Sequence, residues 1–140
     1  MLVIFEGMDK TGKSTLVREF NIATNYKHIV LDRGPLSSYV YDSIYNRGCR
    51  CSYEGFEKAI CNINHLVVLC IASEYTIDRR LVEAGEFLPK EQIEAGGVPH
   101  IQKKFIEESF KSNMNVVTIN TDESIEYCLD IIKECVKIFE

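Results

Sequence analysis

"FEGMDKTGKSTL", residues 5–16, decides how this chain is read. Between Gly7 and Thr15 stand two glycines, two lysines, an acid and three hydroxyls, and the stretch joins two apolar segments. Gly7-Met8-Asp9-Lys10-Thr11-Gly12-Lys13-Ser14 matches G-x-x-x-x-G-K-[ST]. The match leaves a predicted strand, Leu2 to Phe5, and enters a predicted helix, Lys13 to about Thr24, with Leu16, Val17 and Phe20 on one face. Glycines let the backbone curl until its N–H groups converge on phosphate oxygens. The following helix N-terminus adds about half a positive charge. Lys13 then reaches the β- and γ-phosphates of a nucleoside triphosphate, and the Ser14 hydroxyl completes the shell of a Mg²⁺ ion. The nucleotide site is therefore expected on Gly7, Met8, Asp9, Lys10, Thr11, Gly12, Lys13, Ser14 and Thr15.

The rest of the chain continues the alternation begun there. "HIVLD", 28–32, reads as a second buried strand, and "HLVVLCIA", 65–72, as a third. "NVVTIN", 115–120, is a fourth. Helices are expected from Pro35 to Asn46 with Gly48 as the stop, and from Glu54 to Asn62. Another runs from the Ser73 cap to Ala84, ended by Gly85. Two more follow, His100 to Lys111, then one capped by Asp122 or Ser124 and running to about Phe139. The last is apolar at Ile125, Leu129, Ile132 and Val136. "GEFLPKEQIEAGGVP", 85–99, holds three glycines and two prolines and reads as a mobile, lid-like loop around a short helix. Alternating strands and helices imply an α/β, three-layer sandwich of the P-loop NTPase type. Its four-stranded parallel sheet should have the order 2-1-3-4, in one domain over residues 1–140.

Bulk properties narrow the partners. A chain of 140 residues with net charge −5 and a pI near 5.3 lacks the basic face that long nucleic acid requires. A small anionic ligand met by a few local cations fits better. No apolar run approaches the ~20 residues of a membrane span, and no basic leader precedes "LVIF". The six cysteines include one CxC, Cys49 and Cys51, but no pair of CxxC motifs, and His28, His65 and His100 are scattered. Cys61, Cys70, Cys128 and Cys135 sit among apolar residues and read as small core hydrophobes. A reduced, cytoplasmic setting follows.

The motif leaves several NTPase classes open. "NTDE", 120–123, does not supply the guanine-reading N-K-x-D of a GTPase, and there is no ABC-type signature. A chain this short suits a small-molecule kinase. The second strand ends in Asp32, where a Mg²⁺-binding or base-like carboxylate would stand at the carboxyl edge of the sheet, and Arg33 follows.

At these residues the sequence resembles the thymidylate kinase family. "FEGMDKTGKSTL" is similar to that family's opening F-E-G-x-D and loop. "LDRGPLSSYVYD", 31–42, resembles its D-R-x-x-x-S-S-x-x-Y-Q, matched at Asp32, Arg33, Ser37, Ser38 and Tyr41. The order of the last third is similar too. The resemblance is to a minimal member, as in viruses or phages, which would work in the host cytoplasm. It implies γ-phosphoryl transfer from ATP with Mg²⁺ to a deoxynucleoside monophosphate, with dTMP first. Lys13 would hold the β- and γ-phosphates, and Ser14 and Asp32 (through water) the metal. Asp9 would accept from the acceptor's 3′-hydroxyl, Arg33 would hold its phosphate, and Ser37 and Tyr41 would touch the acceptor. Lys10 would reach the transferring phosphoryl. Arg79 or Arg80 would meet ATP as a lid arginine, with Lys90 the remaining lid cation. Glu6 is expected to be hydrogen-bonded and structural, and Asp42 to face solvent or an acceptor edge.

One departure bears on the acceptor. Between Thr24 and His28 the family carries a long insert with its acceptor-phosphate arginine and base-stacking phenylalanine, where this chain has only "NYK". A homodimer stays open, since a second subunit could complete that pocket. So do a nucleoside kinase with Asp32 as its base and a nucleotide-binding regulatory protein without turnover.

Overall fold

The structure, a computed structural model, describes residues 1–140. Four parallel strands, β1 (Leu2–Glu6), β2 (Ile29–Asp32), β3 (His65–Ile71) and β4 (Val116–Asn120), form one sheet in the order β2-β1-β3-β4. Seven helices accompany them: α1 (Lys13–Ala23), α2 (Pro35–Tyr45), α3 (Arg50–Cys61), α4 (Glu74–Ala84), α5 (Lys90–Glu94), α6 (Gly97–Lys111) and α7 (Ile125–Phe139). The expected α/β architecture and strand order are those observed.

The side-chain period of a strand divides the core in two. Leu2, Ile4, Val67 and Leu69 point to the face covered by α2, α3, α4 and α6. Val3, Phe5, Leu66, Val68 and Cys70 point to the opposite face, where Leu16 and Phe20 of α1 meet Cys128, Ile132 and Val136 of α7. β1 and β3 are covered on both faces and are apolar at nearly every position, as their sequences require.

β2 departs from the expected buried strand. It is the sheet edge, bonded only to β1, and Ile29 is 69% exposed. Four apolar letters cannot distinguish an edge from a centre, because an edge strand still buries one flank. Cys61 likewise lies exposed at the end of α3, and Cys135 is only half-buried; Cys70 and Cys128 are the true core thiols. On α7, Cys128 takes the inward position and Ile125 is exposed.

Helix ends shift for identifiable reasons. α2 stops at Tyr45 because Asn46 adopts the left-handed cap, so Gly48 lies beyond it. α3 begins four residues earlier than Glu54, where Arg50 pairs with Glu54 at 3.5 Å and with Glu108 of α6 through two 3.2 Å bonds. α6 starts at Gly97, since Pro99 sits in a first turn that needs no N–H from it. Within 85–99 the backbone is ordered into α5 and the start of α6, with Gln92 buried and bonded to Tyr45. Ser73 and Ser124 cap α4 and α7 through the N–H groups of Thr76 and Tyr127, and Gly85 closes α4.

Candidate active site

The register sets the site at the carboxyl edge of the sheet. Phe5 pairs with Asp32 and Glu6 with Leu69, so the turn after β1 lies between the ends of β2 and β3. Gly7 has φ +135, and a Cβ there would stand 2.4 Å from the Cys70 carbonyl oxygen. Only glycine lets the loop pass so close to β3. Thr11 donates to the Met8 carbonyl at 2.8 Å, and both side chains are buried. Those two side chains brace the loop from inside, leaving its backbone to face a ligand. Gly12, left-handed, begins α1 with no side-chain cap and no acid in the first turn. The orphan N–H groups and positive end of α1 thus remain available to an anion.

Three cations of the site rest on carboxylates. Lys13 is 6% exposed, and its Nζ lies 2.6 Å from Asp32 Oδ1. Arg33 pairs with Asp9, and its guanidinium sits 5.6 Å from the centre of the Tyr41 ring. Lys10 Nζ lies 3.1 Å from Glu86 Oε2. Arg80 instead donates to the Lys10 carbonyl at 2.8 Å and lies beside Gly12. Lys10 and Arg33 both hold positive φ, +69 and +77, conformations that non-glycine residues adopt at a cost.

Of the two arginines in the middle of α4, Arg80 lines the cleft over the loop. Arg79 is exposed and turned to Glu83, one turn along its own helix at 3.7 Å. Lys90 pairs with Glu94 at 3.7 Å in solvent and does not reach the cleft. Ser37 is buried: its hydroxyl and its N–H both donate to Glu6. That side chain faces the interior and is taken up by Glu6. Asp42 accepts from the Cys49 N–H at 3.1 Å and so ties the end of α2 to α3.

Glu6 has the structural part expected of it. It is 0% exposed and receives the Gly34 N–H at 2.9 Å, the Ser37 N–H at 3.1 Å and the Ser37 hydroxyl. A carboxylate from β1 thereby caps α2. Burial pushes its carboxyl above the ordinary glutamate value, and those hydrogen bonds oppose the shift. Tyr41 is buried edge-on against Phe105, 6.0 Å between rings. Burial, then the nearby Asp9 charge, pushes its phenol up to about 12.

A cleft of about 690 Å³ runs over the loop, a volume in the range of small-molecule sites. Asp9, Lys10, Gly12, Lys13, Ser14, Thr15 and Arg80 line one part, and Thr121, Glu123, Ile125 and Cys128 line its far end, after β4. Glu83 and Glu86 line it too. None of these last six was singled out by motif. Their one signal was position, since ligands in open α/β sheets lie beyond the carboxyl ends of strands. Ser14 is exposed at the first turn of α1, and Asp32 stands beside Lys13. A hydroxyl and a carboxylate are hard oxygen donors, and no cluster of three metal-binding side chains exists. That donor set fits Mg²⁺, which keeps water and phosphate oxygens as most of its ligands.

No family model matches the chain, and no curated protein matches it. Solved structures do. The YorR protein from Bacillus subtilis, in complex with phosphorylated GDP, superposes with a TM-score of 0.76 at 17% identity, covering 99% of this chain and 96% of that one. Deoxyadenosine kinase from M. mycoides with bound dCTP gives 0.66 at 13% identity, covering 98% and 99%. The same enzyme with dCMP and a flexible dCDP gives 0.66 at 13% identity, covering both chains fully. This chain therefore shares the α/β fold of these structures over its whole described length.

Proposed function

We propose that the chain transfers the γ-phosphoryl of ATP to a deoxynucleoside monophosphate. The observation that carries the reading is the set of carboxylate-paired cations around one glycine loop. Phosphoryl transfer asks a protein for positioning and positive charge around the moving group more than for covalent help. The loop N–H groups and Lys13 bind the β- and γ-phosphates, and Arg80 holds the loop through the Lys10 carbonyl. Mg²⁺ would be held by Ser14 and, through water, Asp32; when bound it neutralises charge on the phosphate oxygens. Asp9 orients the acceptor sugar, and Arg33, backed by Tyr41, grips the acceptor phosphate.

Two features favour a monophosphate over a free nucleoside. An ionised phosphate needs no base, and the strand-end carboxylate that could serve as one, Asp32, is engaged by Lys13. Arg33 stands just past β2 with its guanidinium paired only to the exposed Asp9. Such a fork grips phosphate with two parallel bonds. dTMP heads the acceptors on the resemblance in residues 5–16 and 31–42 alone. The nucleoside-kinase reading keeps one supporting observation: Asp32 is itself 44% exposed, so a phosphate drawing Lys13 away would free it as a base. Labelled ATP offered with a panel of nucleosides and monophosphates decides between them. Labelled diphosphates, dTDP foremost, are expected. Robust phosphorylation of nucleosides with inert monophosphates would replace the first reading with the second. Binding of ATP with no transfer to any acceptor would leave a nucleotide-binding protein without turnover.

A further inference from the structure

Lys10 is held at both ends by one element. Its carbonyl accepts from Arg80 on α4, and its ammonium meets Glu86, two residues past the end of that helix. Glu86 is itself fixed in place. Gly85 closes α4 in the left-handed conformation, the Glu86 N–H donates to the Leu81 carbonyl at 2.9 Å, and Leu88 packs against the core. The carboxylate therefore projects into the phosphate cleft, which it lines. A negative charge there opposes a triphosphate unless it has a purpose. Asp9 and Asp32, the acids of the other two pairs, have parts in the proposed transfer; Glu86 has none. Of the two loop lysines, Lys10 is also the freer to move: its side chain is 26% exposed, against 6% for Lys13.

We propose that Glu86 is the positioning residue of Lys10, parking its ammonium at the cleft wall until a triphosphate exchanges places with the carboxylate. The inference rests on the proposed nucleotide site. On binding, the ammonium leaves Glu86 for phosphoryl oxygens, and Glu86 passes to solvent; no covalent bond changes. Glu86 then lowers affinity for the triphosphate only through Lys10, which separates it from an acid that merely repels phosphate at a distance.

Binding of the non-hydrolysable β,γ-imido analogue of ATP with Mg²⁺, measured calorimetrically, tests this in wild type, Glu86→Gln, Lys10→Ala and the double variant. Glu86→Gln should tighten binding roughly two- to fivefold, the scale of one exposed ion pair. In the Lys10→Ala background the same change should have no effect. Glu83→Gln supplies the charge-matched control, because Glu83 lines the same cleft but faces Arg79. Equal tightening with and without Lys10, or equal tightening by Glu83→Gln, would overturn the parking role in favour of simple repulsion. Unchanged or weaker binding in Glu86→Gln would overturn it as well, with the kinase reading intact. No analogue binding by the wild type would remove the nucleotide site and the parking role together.

Discussion

At the residue scale, the loop from Gly7 to Ser14 combines a steric demand with an electrostatic one. The steric demand is Gly7, where any side chain meets the Cys70 carbonyl and φ is positive. Gly7→Ala should destabilise the chain by about 1–3 kcal/mol in urea unfolding and abolish triphosphate binding, because the loop must shift off β3 to accept a methyl. The electrostatic demand is Lys13. Its removal leaves Asp32 uncompensated but half-open to water, so Lys13→Ala should fold. Its turnover at saturating ATP should fall at least about a hundredfold, the scale of one preorganised charge lost from a developing one. Turnover near wild type would remove the phosphate-transfer reading. Arg33→Lys should lower kcat/KM for a monophosphate roughly ten- to a hundredfold while sparing ATP affinity, since an ammonium cannot copy the fork. These residues were legible because they are contiguous or sit at a strand end. Glu86 was not, because its importance is a contact across 76 positions of chain (86 − 10), and no local pattern encodes that. The Ser37 hydroxyl's bond to Glu6 was equally out of reach, because a motif position says nothing of which way a hydroxyl turns.

Among elements, α2 shows how one strand sets another element's geometry. Glu6 ends β1 with its backbone leading into the loop, and its carboxylate caps α2 at Gly34 and Ser37. One residue thus couples the glycine-rich turn after β1 to the turn that carries Arg33. Gly34 is required for fit, since a Cβ would lie 2.8 Å from Ile4. The Glu6 carboxyl, lifted above 4.5 chiefly by burial, makes a signed prediction. Below its ordinary value both folded and unfolded states hold the proton, and its full contribution to stability is present. As pH rises through the folded-state value, the unfolded chain ionises more readily than the buried site, and that contribution is lost. Wild-type stability relative to Glu6→Gln should therefore decline in urea titrations as pH climbs above the ordinary glutamate value. A rising difference would mean that the three donors outweigh burial. Helix existence was readable throughout from apolar spacing and caps. The starts of α3 and α6 were not, because what extends them, the Arg50–Glu108 bridge and a proline tolerated in a first turn, is tertiary or positional.

For the whole molecule, parallel pairing in the order β2-β1-β3-β4 brings the carboxyl ends of all four strands to one edge, and the groups given parts in the proposed transfer lie there. The loop follows β1, Asp32 ends β2 and Arg33 follows it, Arg80 lies on the helix after β3 and Glu86 just past that helix, and Thr121 and Glu123 follow β4. A triphosphate in the cleft would bridge these segments, so binding should stabilise the fold as a unit. At a ligand concentration a hundred times Kd the gain is about 2.7 kcal/mol. For a chain this size that raises Tm by roughly 10 °C. The shift should appear with ATP·Mg²⁺ in wild type and vanish in Lys13→Ala. Adding a nucleoside monophosphate should raise Tm further in wild type and much less in Arg33→Lys, because the second ligand reaches the fold through that guanidinium. A free nucleoside that gives the larger second shift, insensitive to Arg33, would move the acceptor assignment to a 5′-hydroxyl and make Asp32 the base.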